Sequence, residues 1–301
     1  MLGIAYSASI GGISTLIGTP PNLVLAGVIK EYFEMEIAFS EWMLLVFPLS
    51  ALLLFLTWFY LVRFAYHLDK KPIEGGRQEI SMQLKALGKI SYEEKLVMVV
   101  FICTALLWMT RSLVDDFLPI DDTMIAIASA IALFLLPARE GKQLMNWKTA
   151  VKIPWGIALL FGGGLSIAQG FKETGLAEWI GGNMTGLEGL SLMVILLTVI
   201  AMVNFLTEIT SNVATTSMIL PVLAPLAAAI GINPLIIMVG ATIAASCAFM
   251  LPVATPPNAV VFGSGYLKIK DMVSVGIRLN LLSIVIVALY LYVFLPLVFG
   301  N

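Results

Sequence analysis

The tetrapeptide Thr19-Pro20-Pro21-Asn22 returns as Thr255-Pro256-Pro257-Asn258, and both copies extend to T-P-P-N-x-V-x-x-G, ending at Gly27 and Gly263. Each copy lies inside a long uncharged stretch. Proline has no backbone N–H and collides with the preceding turn, so a Pro-Pro pair interrupts a helix. The chain is 59% hydrophobic and 12% charged, far more apolar than a soluble domain of this length requires. Uncharged runs cover 1–29, 42–62, 96–110, 123–138, 153–171, 189–207, 209–267 and 279–301, and a helix needs about 20 apolar residues to cross a bilayer. Run 209–267 is too long for one crossing and must turn back within the membrane. Runs 96–110 and 123–138 are short and reach full length by including flanking residues. Broken backbone at membrane depth is tolerated only where it is buried in protein or lines a cavity. Two matched breaks in two halves of one membrane chain therefore point to a secondary transporter with a binding site near the midplane.

Charge gives the expected orientation. Of the 17 lysines and arginines, all but Lys30, Arg111 and Lys172 fall in segments 63–95, 139–152 and 268–278, which the excess of positive charge on cytoplasmic loops places inside. The alternate loops carry Glu31, Glu34, Glu36 and Glu41, then Asp115, Asp116, Asp121 and Asp122, then Glu173, Glu178 and Glu188, and face outside. Alternation is kept only if 189–229 is a re-entrant hairpin opening outward. The first T-P-P-N helix then points outward and the second inward, the opposed topology of an inverted repeat. The implied division is as follows. Residues 1–66 end a first repeat, with a broken helix over 1–30 and a transmembrane helix over 42–66. Residues 67–95 form a cytoplasmic amphipathic segment around Ile80, Met82, Leu84, Leu87 and Ile90. Residues 96–301 form a second repeat: helices 96–114, 123–138 and 153–171, hairpin 189–229, broken helix 233–265 and terminal helix 279–300. Gly75-Gly76 sets the earliest start for any helix in the amphipathic segment, which is read as lying on the cytoplasmic leaflet, with a solvated loop as the alternative.

Composition also excludes several classes. The cysteines, Cys103 and Cys247, lie in apolar runs, and the single histidine, His67, lies in a charged loop, so a metal or histidine-based catalytic site has almost no material. A net charge of −2 offers nucleic acid nothing. No charged region precedes the first apolar run, so no cleavable signal peptide is expected. Phe161-Gly162-Gly163-Gly164 lacks the Gly-Lys-Ser/Thr ending of a phosphate loop and reads as close helix packing or a kink. No Ser-His, Cys-His or paired-aspartate arrangement supports an intramembrane enzyme.

The candidate chemistry sits in Thr207-Glu208-Ile209-Thr210-Ser211-Asn212-Val213-Ala214-Thr215-Thr216, a dense polar cluster at the expected hairpin tip. Hydroxyl, amide and carbonyl oxygens suit a hard cation such as Na+. Helix N-termini suit a carboxylate, and both the hairpin tip and the T-P-P-N kinks are expected to offer free N–H groups. The same hydroxyls also serve as helix–helix glue. Glu208 is the only charge between Glu188 and Lys268. It is expected to accept N–H bonds at the hairpin tip, with cation or proton coupling as the alternative.

Gly18-Thr19-Pro20-Pro21-Asn22, Thr207-Glu208 followed by Ser211-Asn212, and Ala254-Thr255-Pro256-Pro257-Asn258 resemble the divalent anion/sodium symporter family, the INDY-type dicarboxylate carriers. The resemblance spans essentially the whole chain. It implies an all-α polytopic membrane protein, an inverted-repeat elevator-type secondary transporter with broken helices and a re-entrant hairpin. It implies Na+ as coupling ion without an organic cofactor, a di- or tricarboxylate substrate such as succinate, malate, fumarate or citrate, and a homodimer in the full-length form. It places the chain in the inner (cell) membrane of a bacterium or archaeon, and the charge pattern puts the C-terminus outside. By resemblance, one Na+ site uses Thr207, Ser211, Asn212 and the Ala254 carbonyl, and a second uses the Gly18 carbonyl. The substrate lies near Ser211, Asn212, Thr255, Pro256, Thr19 and Pro20. Two departures stand out. The second tip reads Ser-Asn-Val at 211–213 where the family has Ser-Asn-Thr, and the first Ser-Asn-Thr hairpin and the helices before it are not present. The chain is thus expected to be N-terminally incomplete, to leave the first break facing no opposing tip, and to be inactive alone. A sodium-independent anion exchanger and a non-transporting sensor or assembly subunit fit the same residues.

Overall fold

The computed structural model describes residues 1–66, 76–114, 120–153, 155–176, 179 and 190–299. These residues are helical wherever they are regular; among them the β-type contact is an isolated bridge between Pro137 and Gln143. The chain separates into two compact units. Met1–Ile37, Glu41–Tyr66 and Trp155–Asn301 form one, and Ala38–Ser40 with His67–Pro154 form the other.

The larger unit is built around two broken helices. The first consists of α1 (Leu2–Ile13) and α2 (Pro20–Phe33), and α3 (Phe39–Tyr60) follows, ending in a π turn at Leu61–Ala65. After α8 (Trp155–Glu173) come α9 (Leu192–Ile209) and α10 (Asn212–Ala229), linked by Thr210 and Ser211. The second broken helix consists of α11 (Pro234–Ser246) and α12 (Pro256–Gly263), and α13 (Ile269–Phe299) ends the unit. Every residue of α11 from Leu235 to Ser246 is buried, because α1, α2, α9, α10 and α13 all pack on it. The two broken helices exchange partners: α1 lies on α12, and α2 lies on α11. The fold brings the third glycine of the Phe161–Gly164 run into close packing, since a Cβ on Gly164 would lie 2.7 Å from the Ser217 side chain on α10.

Local chemistry sets the ends. Ser191 caps α9 through the Val194 N–H, and Asn233 caps α11 through the Leu235 N–H, with Pro234 at the first helical position. Proline costs nothing there, since that N–H has no intrahelical partner. The same rule relocates the breaks. Pro20-Pro21 and Pro256-Pro257 open their helices, so the irregular backbone lies ahead of them, at 14–19 and 247–255. The terminal helix begins at Ile269, not at 279. Asp271 accepts the Lys268 N–H at 3.1 Å, so the charges of 268–278 decorate the first turns of a continuing helix.

The smaller unit holds α4 (Gly76–Ala86), α5 (Tyr92–Val114), α6 (Asp122–Leu135) and the short α7 (Trp147–Ala150). A capping box starts α5: Ser91 Oγ accepts the Glu94 N–H, and Glu94 accepts the Ser91 N–H. Helices α5 and α6 pack together through a Thr104–Ser129 hydroxyl bond of 2.7 Å and the Trp108 indole N–H on the Asp122 carbonyl. The amphipathic segment is helical over 76–86 and buries no residue; residues 67–75 lie outside the described residues. By length and composition three helices among the described residues can cross a membrane: Phe39–Ala65, Leu192–Ile209 and Ile269–Pro296.

Candidate substrate and cation site

The first break is held by neutral groups. Asn22, fully buried, donates Nδ2 to the Thr15 carbonyl at 2.8 Å and the Ile13 carbonyl at 3.4 Å. The Trp42 indole donates to the Ile13 carbonyl at 2.9 Å and Ser50 Oγ to the Ile10 carbonyl at 2.7 Å. The Ile10 and Ile13 carbonyls belong to the last turn of α1, which no helical N–H reaches, and Thr15 lies in the loop beyond it. The loop doubles back so tightly that a Cβ on Gly18 would collide with the Gly12 carbonyl.

The second break is held around a charge. On its carbonyl side, Asn204 Nδ2 reaches the Cys247 carbonyl at 2.7 Å and the Ala244 carbonyl at 3.3 Å, and Thr207 Oγ1 donates to the Ala245 carbonyl at 3.3 Å. Asn258 Nδ2 bridges the carbonyls of Ala248 and Leu251, both at 3.1 Å. On its N–H side, Glu208 accepts from Met250 at 2.9 Å and Leu251 at 2.8 Å, and Asn280 Oδ1 accepts from Phe249 at 3.0 Å. Asn280 Nδ2 closes the set on Glu208 at 2.6 Å. All the hydrogen-bond partners of Glu208 are donors, which fits an ionised carboxylate. The donors come from the facing break and α13, not from the hairpin tip, and the expectation for Glu208 is corrected accordingly. Gly276 lets α13 approach: a Cβ there would collide with the Phe249 carbonyl.

Between the breaks lies a cavity of about 220 Å³ lined by Gly12, Gly18, Thr19 and Pro20 of the first, Ser246, Thr255, Pro256 and Pro257 of the second, and Asn212 of α10. A second cavity, of about 290 Å³, shares Pro20, Asn212, Thr255 and Pro256 and adds Ser211, Val213 and Ala254. The N-termini of α2, α10 and α12 all open on this space, so three positive dipole ends converge with no charged side chain in either wall. Asn212 is 3% exposed, and its side-chain amide has no hydrogen-bond partner among the described residues. It can donate and accept at once. Proline occupies the first two positions of both α2 and α12. The kinks therefore lack two of the N–H groups expected of them, which leaves hydroxyls, the Asn212 amide and the N-terminus of α10 on this space. Asn212 and the second break line the same cavity as Gly18, Thr19 and Pro20.

Among the expected site residues, Gly18, Thr19, Pro20, Asn212, Thr255 and Pro256 meet on the first cavity. Ser211 and Ala254 meet on the second. Thr207 lines neither cavity and is fully buried against α11, with its oxygen lone pairs still able to coordinate. Among the described residues no cluster of three His, Cys, Asp or Glu side chains could hold a metal ion. Ser211, Asn212 and Ala254 bring neutral oxygens to the second cavity, the kind of ligand a hard cation takes without a carboxylate cage. Sequence reasoning missed Asn204, Asn280, Ser9 and Ser246. The two asparagines carry a signal, as lone amides within apolar spans. The serines carry none.

The sodium:sulfate symporter transmembrane region family matches residues 1–300. The sodium-dependent dicarboxylate transporter SdcS of Staphylococcus saprophyticus is 46% identical over 311 residues, covering 100% of this chain and 59% of the relative. SdcS of Staphylococcus aureus, strain USA300, is 44% identical over 307 residues with the same two coverages, and strain MRSA252 gives the same values. The chain thus spans 59% of the length of these relatives. With three helices among the described residues apolar enough to cross a membrane and a match over residues 1–300, this integral membrane protein belongs to the sodium:sulfate symporter transmembrane region family.

Proposed function

We propose that this protein carries small di- and tricarboxylates across the membrane by secondary transport coupled to Na+, with no enzymatic step. The observation that carries the reading is the first cavity. Three helix N-termini and the unpartnered Asn212 amide converge there without a charged side chain, as a small anion requires. Asn212, Ser211, Thr255, Pro256, Thr19 and Pro20 contact the substrate. Na+ sits on oxygens of Thr207, Ser211, Asn212 and Ala254, and a second ion uses the Gly18 carbonyl. The names of the Staphylococcus relatives support both the dicarboxylate and the sodium dependence. The partner exchange of the broken helices, α1 on α12 and α2 on α11, supports two inverted repeats that move as an elevator. The hairpin over 189–229 opens outward, the C-terminus lies outside the bacterial inner membrane, and the full-length form is a homodimer.

The test is uptake of labelled succinate into liposomes containing the full-length form, under inward Na+ and K+ gradients. Saturable uptake with Na+ alone is expected, together with a melting temperature raised more by Na+ than by K+. Thr207→Val should abolish that difference. Equal uptake in both salts, with succinate counterflow in sodium-free medium, would replace the symporter by an exchanger.

A further inference from the structure

We infer that Ser9 and Ser246 are positioning residues that aim the Thr255 and Thr19 hydroxyls into the cavity, each serine serving the threonine of the other break. The inference rests on the carboxylate-binding reading of that cavity. Ser9 Oγ lies 3.3 Å from Thr255 Oγ1, and Ser246 Oγ lies 3.4 Å from Thr19 Oγ1. Both serines are buried, and all four hydroxyl residues line the cavity. The crossed pattern follows from the packing, since Ser9 is on α1, which lies on α12, and Ser246 ends α11, which lies on α2.

Two features separate these pairs from ordinary helix hydroxyls. The first lies in the threonines. Thr19 and Thr255 are N-cap residues with nearly identical extended backbones, φ −146°, ψ 141° and φ −140°, ψ 149°, yet neither side chain caps its own helix. An N-cap hydroxyl normally accepts from the second or third N–H of its helix. Here the second residue is proline, and the third N–H of α2 is bonded to the Thr19 carbonyl at 3.2 Å. The threonine rotors have no local partner to fix them. The second lies in the serines. Ser7, Thr104, Thr198 and Thr242 each donate back to a carbonyl of the preceding turn. Ser9 and Ser246 make no such bond and turn toward the opposite broken helix.

A hydroxyl has one proton and two lone pairs. When the serine donates, the threonine oxygen accepts, and the threonine proton is left to meet a carboxylate, which only accepts. A bound anion favours that polarity, and the contacts shorten as the relay closes from serine to threonine to carboxylate. With Pro20, Pro21, Pro256 and Pro257 supplying no N–H, each break offers a carboxylate one such relay in their place. Each relay starts on the other broken helix.

The experiment measures succinate Kd on the purified protein in Na+, with Ser9→Ala, Ser246→Ala, and the nearly isosteric Ser9→Cys and Ser246→Cys. Loss of one charge-polarised hydrogen bond should weaken binding about three- to tenfold for alanine and less for cysteine. The diagnostic result is crossed coupling. Ser9→Ala should have no further effect in a Thr255→Val background and its full effect in Thr19→Val. Ser246→Ala should behave in the mirror sense. Should an alanine variant fail to fold, its cysteine counterpart carries the same cycle. Unchanged Kd in the serine variants, or effects that add fully in both backgrounds, would overturn the relay while leaving the transport reading intact. A wild-type protein that binds no dicarboxylate would overturn both.

Discussion

The two T-P-P-N breaks start from the same four residues and end in the same N-cap geometry, yet they are held in different ways. Asn22 and Asn258 do equivalent work, each donating Nδ2 to two carbonyls at or beyond the end of the preceding half-helix. Beyond that the breaks diverge. The first is tight, closed by Gly12 against Gly18 and served by Trp42 and Ser50. The second is longer and exposes three successive N–H groups, at Phe249, Met250 and Leu251, which Glu208 and Asn280 take up. A short loop can satisfy itself with neutral groups. A longer one at membrane depth leaves donors in a row, and a carboxylate with two oxygens is the compact way to absorb them.

The largest effect expected from that contrast is Glu208→Ala. It strands two backbone N–H groups and the Asn280 amide, at about 1–3 kcal/mol for each buried donor left unpaired. Ser50→Ala removes a single hydroxyl at the first break and should cost only about 1 kcal/mol. Melting temperatures in detergent should therefore separate the two variants by several degrees. Equal losses would show that the charge adds nothing beyond what neutral clasps provide. Next comes Asn212→Ala, at the residue on which both breaks converge. The protein should insert and melt normally while succinate binding weakens by about 100-fold, because the bound carboxylate loses its amide partner inside a buried site. Wild-type affinity in a well-folded variant would remove Asn212 from the site.

Those contrasts also divide what was legible in the sequence from what was not. The membrane class and the helical fold follow from composition. The breaks were visible because two adjacent prolines in an apolar run have few structural explanations. Their exact placement was not, since proline at the first helical position opens a helix as readily as proline in the interior ends one. The start of α13 was misplaced because Lys270, Asp271 and Arg278 read as a loop, although charges also decorate a helix that continues out of the membrane. Gly18, Thr19, Pro20, Asn212, Thr255 and Pro256 could be named because their motifs stand out. Ser9 and Ser246 could not, because a helical serine that bonds its own backbone and one that crosses to another helix are identical in sequence.

A smaller effect tests the equivalence of the two asparagines. Asn22→Ala and Asn258→Ala should each lower stability by about 1–2 kcal/mol, the cost of leaving buried carbonyls unserved, and the two losses should match. A much larger loss at Asn22 would be informative: the first break has no Glu208 counterpart, so Asn22 would then carry a share that the second break distributes over several side chains. Thermal melts of the two variants under one salt condition decide between these outcomes.

The smallest expected effect comes from Val213→Thr. Val213 is 6% exposed and sits beside Ser211 and Asn212 on the second cavity, not on the first. Threonine keeps the shape and adds a hydroxyl to a wall that already offers Ser211, Asn212 and the Ala254 backbone. One neutral hydrogen bond contributes about 0.5–1.5 kcal/mol, so a two- to tenfold change in one Kd is the expected scale, with stability unchanged. Which Kd moves is the point of the measurement. Tighter succinate binding at fixed Na+ would make the second cavity part of the anion site. A change in apparent Na+ affinity, with succinate affinity at saturating Na+ unaltered, would assign it to the cation. The two breaks would then differ in role as well as in construction, the first cavity taking the carboxylates and the second break adding a cation site of its own. If neither constant moves, the second cavity lies outside the site, and the Na+ assignment to Ser211 and Ala254 falls with it.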